Sequence, residues 1–142
     1  MNLSFKKIFP WGDLTDFEQK IESGSKIHTI REDPHFRWRP GLKIHMATGI
    51  RTKHYNCFDD SKICESIQSI KINYYRDGEI LRRIEIIIDG DLFYSQEGHS
   101  SYGADNLDLL VRNDGFDSSS DFFRYFDNCF EGRILQFTKF RY

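Results

Sequence analysis

The chain has 142 residues, a net charge of −2, 39% hydrophobic and 30% charged residues, which suits one domain with its own core and excludes a disordered chain. No apolar run approaches the ~20 residues a membrane helix needs, and the opening MNLSFKKIFPWGD lacks the apolar stretch of a signal peptide, so membrane and secretory classes are set aside. The cysteines, Cys57, Cys64 and Cys129, are odd in number with no C-x-x-C pair, which argues against a disulfide framework and for a reducing, cytoplasmic compartment.

In chain order, Leu3-Ser4-Phe5 reads as a short strand and Pro10-Trp11-Gly12 as a turn. Thr15 and Glu18 have capping-box spacing and open a helix that stacks Phe17 on Ile21 and stops at Gly24. Ile27 to Arg31 is extended, being rich in β-branched residues. Pro34 and Pro40-Gly41 bracket a loop, and Leu42 to Thr48 resumes as a strand with Gly49 as a bulge. The clearest hairpin runs from about Ile63 to Tyr75, turns at Arg76-Asp77-Gly78 and returns as Ile80 to Ile88. Leu92 to Tyr94 extends the sheet, and EGHSSYGADN reads as a loop. Leu107, Leu110 and Val111 have helical spacing. So do Phe122, Phe123, Phe126 and Phe130, with Ser118 placed as a cap. Asn113-Asp114-Gly115-Phe116 separates the two, and alternation from Arg133 to Arg141 gives a last strand. The chain therefore reads as one domain, 1–142, of α+β or mainly β class: about six mostly antiparallel strands in a curved sheet or barrel with short flanking helices.

Charge is distributed unevenly. Residues 1–71 carry a net +3 and residues 72–142 a net −5. Between positions 26 and 54, Lys26, Arg31, Arg37, Arg39, Lys43, Arg51 and Lys53 face only Glu32 and Asp33. Such a patch is either a solvated face or a confined seat for an anionic ligand. Strand alternation puts Thr29 and Arg31 on one face, with His28 and Ile30 on the other. Lys26 follows a helix end, so the pleat does not fix its direction, and a hydroxyl, an ammonium and a guanidinium can converge. Threonine attacks a carbonyl only when a base takes its proton, and a desolvated lysine can be that base. Arg31 suits a carbonyl, carboxylate or phosphate. Arg37 and Arg39 flank Trp38, either as phosphate binders around a base-stacking ring or as solvating groups around a tryptophan that plugs the fold. Arg51 and Lys53, beside His54 and Tyr55, suit a single-stranded backbone track or a flexible loop. His54, Cys57 and Cys64 match no standard zinc spacing, so no metal and no cofactor is expected.

The pattern Gly24-x-Lys26-x-x-Thr29-x-Arg31 resembles the signature of the ASCH domains, relatives of the PUA domain, whose usual form is G-x-K-x-x-E-x-R. Trp38-Arg39-Pro40-Gly41 is similar to the family's turn into the next strand, and Asp114-Gly115-Phe116 to its acidic-Gly-Phe segment. The resemblance implies a PUA-like β-barrel and a cleft for RNA or a modified nucleoside. One branch comprises small bacterial amidohydrolases acting on acetylcytidine, which also carry Thr in place of Glu. On that likeness Thr29 is the nucleophile and Lys26 its base. Asp114 stands nearest to the branch's later Glu, one methylene shorter and aligned through a one-residue gap. The resemblance leaves two functions in play: a nucleic-acid or nucleoside binding module, and an amidohydrolase.

Overall fold

The computed structural model describes all 142 residues. Nine strands and three helices follow in the order β1 (Asn2–Ser4), α1 (Phe17–Ser23), β2 (His28–Arg31), β3 (Lys43–Thr48), β4 (Asn56–Ile63), β5 (Ser66–Asp77), β6 (Ile80–Ile88), β7 (Asp91–Glu97), β8 (Ser100–Tyr102), α2 (Ala104–Asn113), α3 (Ser119–Tyr125) and β9 (Phe130–Gln136). The class is α+β with strands predominating. The strands form two sheets: β1-β3-β4, with β1 parallel to β3, and the antiparallel β2-β9-β5-β6-β7-β8. Neither sheet closes on itself.

Nine strands stand where about six are expected and seven segments read as extended, because two strands lie in segments whose sequences do not announce them. β4 reads NCFDDSKI, without alternation, and is held by its ladder to β3. β8 reads SSY, is exposed throughout, and pairs only with β7. The long strand expected from Ile63 begins at Ser66 because the chain turns a corner at Cys64-Glu65. There Cys64 N donates to Leu42 O (2.8 Å) and Glu65 N donates to Gln136 O (2.9 Å), one bond to each sheet. The last strand ends at Gln136 rather than running to Arg141.

Two cores follow from this layout. One lies between the six-stranded sheet and the helices, centred on Ile70, Ile72, Ile86, Leu110, Phe122 and Ile134. The other lies within the smaller sheet's concavity and includes Leu3, Phe5, Ile21, Trp38, Ile44, Met46 and Leu135. Strand β9 serves both, because alternation sends Ile134 to one and Leu135 to the other.

The helix ends show how local sequence positions the later site. Thr15 and Glu18 do not form the expected capping box. Thr15 Oγ1 instead donates to Lys6 O (2.6 Å), and Asp16 at the helix start has φ 54° and no side-chain cap. Ser118 caps α3 as expected, accepting from Asp121 N at 3.1 Å. Helix α2 ends in a Schellman turn: Phe116 N donates to Val111 O (3.0 Å) and Gly115 N to Arg112 O (2.9 Å). Gly115 has φ 90°, and a Cβ there would stand 2.8 Å from the Lys26 side chain. Glycine is required twice over, by conformation and by space.

Ile134→Ala and Leu135→Ala each remove a fully buried side chain from a different core. Each is expected to destabilise the protein by about 2–5 kcal/mol, read from the midpoint of urea unfolding, with one cooperative transition retained in both.

Candidate functional site

Two helix ends meet at the start of β2. The exit of α1 delivers Lys26 and the exit of α2 delivers Asp114, while Ile27 N donates to Asn113 O (2.9 Å) and aligns the strand along the second helix. Lys26 is buried. Its ammonium donates to His28 O (2.9 Å), to Asp114 O and to Asp114 Oδ1 (3.3 Å), so all three protons have acceptors. It also lies over the Phe17 ring, 4.6 Å from the centroid. Burial pushes the Lys26 amine down to about 8, partly opposed by the neighbouring Asp114 carboxylate.

Asp114 also meets His28. The carboxylate can only accept, so His28 Nδ1 carries the proton and donates to Asp114 Oδ1 (3.2 Å). Burial lowers the His28 pKa, although Asp114 acts in the other direction, and the ring is neutral at neutral pH. His28 Nε2 is then an acceptor for the Tyr142 hydroxyl (2.6 Å). Burial pushes the Tyr142 phenol up, so it keeps its proton, and its oxygen accepts from Asn113 Nδ2 (3.0 Å). The outcome is a continuous chain, half-buried at Asn113 and Tyr142 and buried at His28, Asp114 and Lys26.

On the other face of β2, Thr29 and Arg31 stand together as alternation requires. Arg31 Nε donates to Thr29 Oγ1 (3.3 Å). Arg31 Nη2 donates to Ser4 O on β1, and the guanidinium lies over Phe5 at 5.2 Å. β1 and β2 are edge strands of different sheets, with no backbone ladder between them. The Arg31 side chain therefore bridges a seam that the main chain leaves open. Arg31 Nη1 makes no hydrogen bond within the protein. Beside it lies a recess of about 70 Å³ lined by Ser4, Lys6, Phe9, Phe17, Arg31 and Tyr125, among others.

The sequence-derived candidates thus divide. Lys26 meets Asp114, and Thr29 meets Arg31, but no hydrogen bond joins Lys26 to Thr29 and neither Lys26 nor Asp114 lines the recess. Trp38 is not a stacking platform. It is buried in the core with Ile44 and Met46, so the plugging alternative is the one the structure adopts. Arg37 and Arg39 are exposed on a loop pinned by Asp33, which accepts from Arg37 N (2.8 Å), Trp38 N (3.1 Å) and Arg133 Nη1 (2.7 Å). Burial raises the Asp33 pKa, and these donors more than reverse that, holding its carboxyl below the ordinary range. Arg51 and Lys53 are exposed in the turn between β3 and β4. Lys6, Phe17 and Tyr125 at the recess, and His28, Asn113 and Tyr142 behind it, carry no motif by which sequence alone would select them. No family model matches this chain, and no curated protein and no solved structure matches it.

Lys26→Met leaves the Asp114 carboxylate buried without its cation and is expected to cost about 3–5 kcal/mol. His28 supplies a pH signature. Its folded pKa lies below 6.5, so its contribution is complete above that value. As pH falls, the unfolded chain takes up a proton that the folded ring refuses, and stability is lost. The stability difference between the parent and His28→Asn should narrow as pH falls from about 7 to about 5, measured by urea unfolding across that range.

Proposed function

We propose that this protein binds RNA or a modified nucleoside at the seam between β1 and β2. In this reading β1, β3, β4, β5, β9 and β2 form, in that ring order, a six-stranded ASCH or PUA-like barrel opened at one position. The corner at Cys64-Glu65 joins β4 to β5, and the Arg31 bridge spans the remaining gap. The observation that carries the proposal is the Arg31 guanidinium. It is held by Ser4 and Thr29, backed by Phe5, leaves Nη1 without a partner in the protein, and lines a recess together with Phe9, Phe17 and Tyr125. A fixed donor among aromatic rings suits the edge oxygen and the face of a base. The recess takes only the recognised edge, and the remainder of the ligand lies along the open surface outside it.

The amidohydrolase reading draws support from one fact, the lowered pKa of Lys26 next to a strand carrying Thr29. Against it stands the acceptor set of the ammonium. His28 O, Asp114 O and Asp114 Oδ1 use every proton, and Thr29 is not among the partners. A base that must take the proton of Thr29 needs to reach it. Binding without turnover is therefore the preferred reading.

Titration with cytidine, acetylcytidine and a short single-stranded RNA tests this. Arg31→Ala should weaken binding by roughly tenfold, whereas Arg39→Ala should change it less than about twofold. Incubation with acetylcytidine should release no cytidine. Equal binding by Arg31→Ala and the parent would remove the seam from consideration, and Thr29-dependent release of cytidine would replace the binding module with the enzyme.

A further inference from the structure

The groove next to the seam carries an unused donor. Thr48 ends β3, is 3% exposed, and its hydroxyl is buried with no hydrogen-bond partner. It lines an open groove of about 560 Å³ together with Lys6, Lys7, Gly49 and His54. A buried hydroxyl without a partner is uncommon in a folded protein and asks for an explanation. Around it lies positive charge without compensation: neither Lys6 nor Lys7 makes an ion pair, and the same holds for Arg51 and Lys53 on the adjoining turn.

The groove wall is built in advance. Thr15 N donates to Lys7 O (2.9 Å) and Thr15 Oγ1 to Lys6 O, which fixes the backbone that carries both lysines. On the opposite side, Thr52 Oγ1 donates to Gly49 O (2.7 Å) and accepts from His54 N (3.1 Å), closing the turn that presents His54. Gly49 has φ 65°, and a Cβ on it would meet His54 O at 2.5 Å, so this turn packs against itself and leaves no freedom for another residue. Asp16 and Glu18 border a smaller neighbouring recess of about 160 Å³, which Lys6, Lys7 and Thr48 also line. No carboxylate lines the wider groove.

We infer that this groove is a phosphate subsite, with the Thr48 hydroxyl and the Lys6 and Lys7 ammonium groups as donors and His54 at its rim. The inference rests on the nucleoside-binding reading of the seam and sharpens it. Lys6 lines both the recess and the groove, so one ligand can place a base edge at Arg31 and a phosphate over Thr48. The ligand class is then a nucleotide or an RNA backbone rather than a free nucleoside.

Calorimetric titration of the full chain at low salt with cytidine, cytidine monophosphate and inorganic phosphate tests the subsite. The monophosphate should bind roughly tenfold more tightly than cytidine, with an advantage that shrinks as salt is added. Thr48→Val should abolish that advantage, leave cytidine affinity unchanged, and leave the melting temperature equal or higher, because it removes an unpaired buried hydroxyl without changing shape. Lys7→Ala should abolish it as well. Equal affinity for cytidine and its monophosphate in the parent, or a phosphate preference that survives both substitutions, overturns the subsite. If inorganic phosphate binds through Thr48 while no nucleoside responds to Arg31→Ala, the subsite stands and the seam reading falls. The converse pattern has the converse meaning.

Discussion

A single buried ammonium organises the site region. Taking Lys26 out of water costs several kcal/mol, and the fold tolerates it only because three oxygens and an aromatic face replace the lost hydration. Two of those oxygens belong to one residue, Asp114, 88 positions away. The carbonyl and the carboxylate of Asp114 can both face Lys26 only if α2 terminates just there. Gly115 makes that termination possible and clears the path of the lysine stem. The end of one helix is thereby locked to the end of another, and β2 starts from that lock.

The seam is what remains once β2 is so placed. Edge strands expose unpaired backbone groups and invite unwanted pairing. Here β1 is three residues long, β2 is four, and a side chain spans the gap between them. A guanidinium bridge differs from a ladder in that it uses one side chain and leaves the backbone pairing of β2 with β9 intact. The polar chain behind β2, from Asn113 to Lys26, fixes the strand's other face.

Much of this was legible in the residues, for identifiable reasons. Period-two alternation and turn chemistry located the β5–β6 hairpin, and the parity of Thr29 and Arg31 predicted their contact. Gly24 and Gly115 marked helix ends through their conformational freedom. The parts that escaped depend on tertiary context. β4 and β8 are strands only because a neighbour supplies a ladder. Thr15 had the right spacing for a cap, but its hydroxyl met a closer acceptor in Lys6 O. Trp38 sat among arginines that resemble a nucleic-acid surface, yet Asp33 gathers the loop backbone and turns the indole inward. That Lys26 would choose Asp114 over Thr29 could not be read from a motif, because both partners fit the same pattern.

The placement of the two tryptophans gives the protein a built-in pair of optical reporters. Trp11 stacks on Phe9 at 4.7 Å beneath the Arg124 guanidinium, against the helix-covered core. Trp38 lies in the other core, between the smaller sheet and the corner. Replacing either one with phenylalanine leaves an emission spectrum that reports on one half of the molecule alone. Comparing the two single-tryptophan proteins during denaturation shows whether both halves melt together or the seam gives way first.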